Sequence, residues 1–122
     1  MAIESHAPPA AQELLRYFSV GNRGLLSVRN DGSTHILRAS SDWKLFLKKT
    51  PELDFGTWLE LKHKQVAREP LWATTITELP SLSELEEWLT DSVCETPTGH
   101  IVEPDGVGPD GVPSWLRCLG MI

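Results

Sequence analysis

The sequence lacks the hydrophobic runs that a membrane protein needs. No apolar run in the 122 residues is longer than three, whereas a membrane-spanning helix needs about 20 mostly apolar residues in a row. The start, MAIESHAPPAAQ, has neither the basic segment nor the apolar segment of a secretory signal. We therefore expect no membrane insertion and no export, and we predict a cytoplasmic location.

Cysteine is also scarce, and this limits the possible crosslinks and metal sites. Cys94 and Cys118 are the only two cysteines. Two cysteines without a nearby histidine make a poor zinc site, and thiols in the cytoplasm are kept reduced. We expect two free thiols, no bound metal and no cofactor.

Catalytic motifs are missing as well. The sequence has no Gly-x-Ser-x-Gly, no phosphate-binding loop, no dinucleotide fingerprint and no His-Glu-x-x-His. His100 is the one histidine followed by a group of acids, which are Glu103, Asp105 and Asp110. A histidine beside carboxylates can bind a metal or act as a base, although Asp-Gly turns explain the aspartates equally well. We expect a non-enzymatic protein and assign no catalytic residue, and a small metal-binding or enzymatic protein centred on His100 is one alternative.

Positive charge is nearly absent from the second half of the chain. Residues 69–122 carry one base, Arg117, against ten acids, whereas residues 1–68 carry ten lysines and arginines against seven acids. This split predicts a surface with two differently charged faces, or a negative half that meets a positive partner. The overall pI of about 5.1 is not typical of a protein that binds nucleic acid unassisted.

The composition otherwise predicts one globular domain. Apolar residues make up 40% and charged residues 23% of the chain, which is ordinary for a folded domain of this length. Tryptophan is unusually frequent, with one in each predicted element: Trp43, Trp58, Trp72, Trp88 and Trp115. A tryptophan buries a large area, so we expect core anchors, while one or two could instead be exposed binding anchors.

The first half of the chain predicts a helix followed by a hairpin. Residues 1–7 are expected to be frayed. Pro8 and Pro9 suit the first turn of a helix that runs to Phe18. Residues 24–39 then contain two short β-rich runs around an Asp-Gly pair, which is typical of a β-hairpin.

The middle of the chain predicts a helix, two strands and another helix. Ser41 is a suitable N-cap for a helix over 41–49. Residues 58–65 alternate at strand period, although a short helix is possible there, and 71–79 are rich in Thr and Ile. The pair Ser81 and Glu84 forms a capping box, and the apolar stripe of the following helix, to about residue 93, is Leu82, Leu85, Trp88 and Leu89.

These elements give the order α-β-β-α-β-β-α and an α+β fold. We expect a four-stranded antiparallel sheet with helices on one face, formed by a single domain over residues 1–93. Residues 94–122 form an irregular C-terminal extension packed on the same domain. Its first part, 95–113, holds four of the nine prolines and four of the nine glycines, in two Pro-Asp-Gly turns.

The apolar tail, residues 114–122, is the strongest functional candidate. A terminal apolar segment either folds back onto its own core or fills the groove of a partner. We expect it to fold back and to be ordered through Trp115 and Leu119. The candidate partner-binding residues in the tail are Trp115, Leu116, Arg117 and Leu119.

A second candidate surface lies on the predicted strand over 58–65. There Trp58, Lys62 and Lys64 form a basic patch with an aromatic neighbour, which could bind a partner or single-stranded nucleic acid. Lysines also protect an edge strand from aggregation. We expect a protein-binding, assembly or regulatory module whose partner is another protein. A nucleic-acid-associated protein that uses the basic first half is the other alternative, and the sequence leaves the oligomeric state open.

Overall fold

The computed structural model describes residues 11–39 and 41–122. Residues 1–7, predicted to be frayed, and the predicted helix start at Pro8 and Pro9 lie outside this part of the chain. The elements are β1 (Glu13–Ser19), β2 (Gly24–Arg29), β3 (Ser33–Leu37), β4 (Lys44–Lys48), α1 (Phe55–Ala67), α2 (Leu71–Thr74), α3 (Leu82–Thr90), β5 (Cys94–Glu95), β6 (Ile101–Val102) and α4 (Trp115–Cys118). None of these helices is both long enough and apolar enough to cross a membrane.

The four-stranded antiparallel sheet is confirmed, and the fold is broadly α+β. Its strands follow one another in the order β1-β2-β3-β4. The predicted hairpin is formed by β2 and β3. Its turn contains Gly32 at a φ of +85°, a conformation that costs glycine little. Asp31 Oδ1 accepts a hydrogen bond of 2.9 Å from the Ser33 amide, which closes the turn.

Two strands of this sheet come from segments predicted to be helical, so the predicted element order is wrong. The segment ending at Phe18 is β1, and the segment 41–49 contains β4. In β1, Tyr17 and Phe18 are adjacent and both are buried. A strand covered on both faces carries consecutive apolar residues, and in so short a run these also satisfy helical spacing.

The two later segments predicted to be strands contain helix instead. Residues 58–65 lie inside α1, and 71–79 contain the short helix α2 followed by chain without regular structure. The Asp54 side chain caps α1 by accepting a hydrogen bond of 2.9 Å from the Thr57 amide. The segment is rich in Leu, Glu, Lys and Gln, which all favour helix, and this preference outweighs the alternation.

The helix after the capping box is confirmed, with a narrower buried stripe than predicted. Ser81 Oγ accepts from the Glu84 amide at 3.1 Å, and Glu84 Oε1 accepts from the Ser81 amide at 3.1 Å. Leu85 is fully buried, Trp88 is partly buried, and Leu89 is exposed. Leu82, the fourth predicted stripe residue, is exposed too.

Helices pack on both faces of the sheet, which corrects the prediction of one covered face. On one face Tyr17, Leu26 and Ile36 form a cluster with Phe46 and with Val66 of α1. The other face packs against the rest of the chain. Its cluster contains Phe18, Leu25, Ala73, Leu85, Cys94, Trp115, Leu116, Cys118 and Leu119.

The C-terminal segment therefore belongs to the second cluster. Ser114 Oγ accepts from the Arg117 amide at 3.1 Å and so caps α4. The same hydroxyl donates to the Pro104 carbonyl oxygen at 2.5 Å, which ties the helix to the preceding loop. Trp115 and Leu119 of the tail are buried in this cluster. Cys94 and Cys118 are both buried and free.

Candidate functional site

A cavity of about 430 Å³ lies between α1 and the sheet. Its size falls within the range of small-molecule sites in proteins, about 300–1,000 Å³. Strands β1 and β3 contribute Tyr17 and Thr34, strand β4 contributes Phe46 and Leu47, and helix α1 contributes Lys62. This cavity, called the α1 cavity below, is lined by four apolar or aromatic residues and by seven polar or charged ones.

Three charged residues line the α1 cavity, Lys62, Arg68 and Glu69, and of these Lys62 is the buried one. Only 8% of the residue is exposed, and its Nζ atom lies 5.8 Å from the centre of the Trp58 ring. Within residues 11–39 and 41–122 no carboxylate forms an ion pair with it. Burial lowers the pKa of the Lys62 ammonium below its ordinary value. Partial desolvation of a cation without a counterion is unfavourable.

Three residues with hydroxyl groups line the same cavity, Tyr17, Ser19 and Thr34. Thr34 Oγ1 is buried and has no hydrogen-bond partner in the described chain, and a buried hydroxyl without a partner destabilises a fold by about 1–3 kcal/mol. Burial, together with the Glu69 carboxylate, raises the pKa of the Tyr17 phenol. The Thr34 oxygen has almost no accessible surface, so it does not face the open space of the cavity.

Beside the cavity, β4 forms the open edge of the sheet. It pairs with β3 on one side, and no other strand of the described chain pairs with its other side. Leu45 and Leu47 are 55% and 51% exposed, and Lys44 and Lys48 flank them. An open edge presents unpaired N–H and C=O groups that can pair with an added strand.

The predicted basic patch is divided between two sides of α1. Trp58 and Lys62 lie one turn apart and share a side, because residues four apart are neighbours on a helix. Lys64 is exposed and points elsewhere, since residues two apart do not face the same way on a helix. A strand would have placed Lys62 and Lys64 on the same side. The predicted patch therefore depended on a strand where the structure has a helix.

The tail residues are found in the core and at its border. Trp115, Leu116 and Leu119 are buried. Arg117 is exposed, with Nη1 at 3.4 Å from the Asp105 carbonyl oxygen. Whether any of these four residues contacts a partner stays a prediction.

The loop around His100 is held together by hydrogen bonds. His100 Nε2 lies 3.6 Å from Asp110 Oδ2, and the same oxygen accepts from Thr98 Oγ1 at 2.6 Å. The Thr98 hydrogen bond lowers the pKa of the Asp110 carboxyl. Among the described residues no group of three or more histidines, cysteines and acids is placed to hold a metal ion. The geometry explains Asp110 as a loop-closing residue.

The cavity and the open edge were both missed from the sequence. The sequence could have indicated the open edge. Residues 44–48, Lys-Leu-Phe-Leu-Lys, have polar ends and an apolar centre, a pattern that is also compatible with an edge strand. Tyr17 and Thr34 carried no signal, because they meet Lys62 only through the fold.

The chain matches no protein-family model, no curated protein and no solved structure. A function can therefore be argued only from geometry, as at the α1 cavity and the open β4 edge.

Proposed function

We propose that the protein is a non-enzymatic protein-binding module whose partner adds an extended strand to the open edge of β4. The observation that carries the proposal is the pair of exposed leucines, Leu45 and Leu47, on a strand whose outer side pairs with no strand of residues 11–39 and 41–122. In strand addition, main-chain hydrogen bonds supply affinity, and side-chain contacts supply specificity.

The two edges of the sheet differ in how they are covered. At the β1 edge, α2 packs against the strand, Arg16 Nη1 donates to the Thr77 carbonyl oxygen at 3.1 Å, and Glu69 Oε1 accepts from the Val20 amide at 3.3 Å. At β4, no such cover exists within the described chain. The asymmetry supports β4 as the edge that receives a partner.

The charges of β4 define the chemistry of that partner. Lys44 and Lys48 lie at its two ends and are exposed. Opposite charges across paired strands stabilise the pairing, and like charges weaken it. The partner segment should therefore carry acidic residues at its ends and apolar residues between them.

The same charges disfavour pairing between two copies of this chain. If two β4 strands paired antiparallel about Phe46, Lys44 of each copy would lie opposite Lys48 of the other. This repulsion supports a different protein as the partner. The lysines could also serve only to prevent edge-to-edge aggregation, but that role leaves the two exposed leucines unexplained.

A cytoplasmic location forms part of the proposal. Cys94 and Cys118 are both free and buried, which is compatible with a compartment that keeps thiols reduced. The core forms without a crosslink between them. Counting thiols in protein that is alkylated and unfolded immediately after cell lysis should find two.

A peptide selection tests the binding proposal. Displayed peptides should be selected on the folded protein, and the binding site of the recovered peptides should be mapped by amide NMR shifts. We expect acidic-apolar peptides that shift β4 amides and protect them from exchange. The double change Lys44→Glu with Lys48→Glu should weaken binding at least about tenfold, or about 1.4 kcal/mol.

Lys64→Glu is the matched control, since Lys64 is an exposed lysine away from β4, and it should leave the affinity unchanged. Shifts that map elsewhere, or equal binding by the β4 charge reversal, would refute the proposal. A concentration-dependent dimer whose intermolecular contacts map to the β4 amides would replace the foreign partner with a second copy.

A further inference from the structure

We propose that a second cavity, between the β1–β2 turn and the C-terminal helix, binds a phosphate monoester through Arg23 and Arg117, with the apolar body of the ligand against Trp72. The cavity has a volume of about 410 Å³, within the range of small-molecule sites, about 300–1,000 Å³. It is called the Arg23 cavity below. The inference goes beyond the protein-binding proposal, because this site lies at the β1–β2 turn and requires no strand to add to β4.

The charged side chains of the Arg23 cavity are both positive. Arg23 and Arg117 are the two charged residues among its seven lining residues, and no acid of the described chain lines it. Neither guanidinium forms an ion pair within residues 11–39 and 41–122. The nearby acid Glu69 accepts a hydrogen bond of 3.3 Å from the Val20 amide and lines the α1 cavity instead. Two guanidinium groups without a carboxylate in the lining favour an anion with two charges.

Arg23 occupies a backbone position that disfavours arginine. Its φ of +57° is the one positive value at a non-glycine residue of the described chain. A left-handed conformation costs free energy for every residue except glycine, and asparagine tolerates it better than most. Such strained positions cluster at functional sites. The turn itself would be less strained with glycine at position 23, so the guanidinium is what the arginine adds.

The guanidinium of Arg23 is positioned by the C-terminal turn. Gly120 has a φ of +72°, and a Cβ atom at Gly120 would overlap Arg23 Nη1, so the guanidinium lies directly against the Gly120 backbone. Arg117 Nη1 donates one long hydrogen bond of 3.4 Å, to the Asp105 carbonyl oxygen. An arginine presents a planar fork of N–H donors that matches the oxygens of a phosphate. Because both arginines line one cavity, one phosphate can contact both.

Apolar side chains form most of the remaining wall. They are Val20, Pro70, Trp72 and Pro113. The Trp72 ring lies 5.9 Å from the Phe18 ring, centre to centre, so the core fixes the indole. The seventh lining residue is Cys118, whose thiol donates to the Pro113 carbonyl oxygen at 3.6 Å. Flat indole and proline surfaces suit a flat apolar group on the ligand.

Capping of α4 is the competing explanation for Arg23. A cation near the C-terminus of a helix is favourable, and Arg23 lies against Gly120, just after α4. The carbonyl groups there already have partners: Arg117 O accepts from the Gly120 amide at 3.1 Å, and Leu116 O accepts from the Met121 amide at 2.9 Å. Capping therefore does not require Arg23, and it does not account for a second arginine in the same cavity.

Phenyl phosphate tests the inference on the full chain, and inorganic phosphate and benzyl alcohol represent its two halves. Binding is measured by calorimetry and by amide NMR shifts in a buffer without phosphate. We expect phenyl phosphate to bind with a Kd of about 1 mM or tighter, and each half to bind at least about tenfold more weakly. The shifts should include Arg23, Trp72 and Arg117.

A short peptide with a central phosphotyrosine distinguishes two sources of the phosphate monoester. Tighter binding of the peptide than of phenyl phosphate would assign the site to a phosphorylated protein, and weaker binding would assign it to a small metabolite.

Matched variants then separate binding from folding. Arg23→Asn places a residue that tolerates the left-handed backbone, so the protein should keep its stability while phenyl phosphate binds at least about tenfold more weakly. Arg117→Gln should weaken binding as well. Lys64→Gln is the control, since it removes one positive charge from the exposed side of α1 and should change neither property.

The outcomes are decisive in both directions. The inference is overturned if phenyl phosphate does not bind, if either half binds as well as the whole, or if Arg23→Asn binds phenyl phosphate as well as the unchanged protein does. Arg23→Asn should leave peptide binding at β4 intact, and reversing the charges of Lys44 and Lys48 should leave phosphate binding intact, so the two proposals fail separately.

Discussion

The rings of Phe18 and Trp115 meet edge to face, with their centres 5.6 Å apart and their planes at 85°. Phe18 lies in the first strand of the sheet, and Trp115 opens the last helix. Such aromatic pairs stabilise a fold by about 0.5–1.5 kcal/mol beyond the area that they bury. The contact joins the two ends of the described chain through one core.

The C-terminal segment should therefore be needed for stability. Leu116 is fully buried in the same cluster, so Leu116→Ala should lower the free energy of unfolding by about 2–5 kcal/mol. Ile122→Ala is the matched control, because Ile122 is 59% exposed, and it should cost less than about 0.5 kcal/mol. Urea denaturation measures both. Equal, small effects would show that the segment is not part of the core.

Lys62→Met should stabilise the protein at neutral pH. The change removes a partly desolvated ammonium that has no ion-pair partner in the described chain and replaces it with an apolar side chain of similar length. We expect a gain of up to about 1 kcal/mol in the free energy of unfolding.

The pH dependence of this gain follows from the pKa of Lys62, which burial lowers in the folded state. Between the folded and unfolded pKa values the unfolded chain holds more protons, so the stability of the unchanged protein rises with pH. The advantage of Lys62→Met should therefore shrink as pH approaches the unfolded value of about 10.4. Thermal unfolding at several pH values checks this, and a gain that grows with pH would contradict it.

Two leucines of α3 should differ sharply in their contribution. Leu85 is 1% exposed and Leu89 is 46% exposed, although both belong to the stripe predicted from the sequence. Leu85→Ala should cost about 2–5 kcal/mol, and Leu89→Ala less than about 1 kcal/mol. Chemical denaturation of both variants tests the assignment of the buried face. A larger loss at Leu89 would mean that the helix is rotated.

The thiol of Cys118 should make stability fall at alkaline pH. Burial raises its pKa from 9.0 to about 11, and the Arg117 guanidinium opposes that shift. From pH 9 upward the unfolded thiol ionises first, so the unfolded chain holds fewer protons and stability decreases until about pH 11.

Comparison with Cys118→Ala isolates this group from the other groups that titrate there. Over the same range the unchanged protein should lose roughly 1–3 kcal/mol more than the variant. Denaturation midpoints measured at each pH give the difference. Parallel pH profiles for the two proteins would show that the thiol is not held neutral by burial.

Two local features of the fold could be predicted from the sequence because their hydrogen bonds join near neighbours. The Asp31–Gly32 turn closes between Asp31 and Ser33, and the capping box joins Ser81 to Glu84. Residues two or three positions apart make these bonds in any fold that contains them. The predicted hairpin and the predicted helix were accordingly confirmed.

The candidate site could not be predicted, because the period of α1 decides where its side chains point. As a strand, 58–65 would have presented Lys62 and Lys64 together on a surface. As a helix, it places Lys62 beside Trp58 in a cavity and leaves Lys64 in solvent. Both periods fit the eight residues, and the choice depends on what packs against them.

The sequence alone determined the class of fold, the turn of the hairpin and the capped helix. Only the tertiary structure decided that the segments at Phe18 and Phe46 are strands, because their pairing partners lie in β2 and β3 rather than in the segments themselves. It also decided the α1 cavity and the open β4 edge. Both arise where separate elements meet or fail to meet, and short apolar runs satisfy helical and strand periods alike until long-range contacts select one.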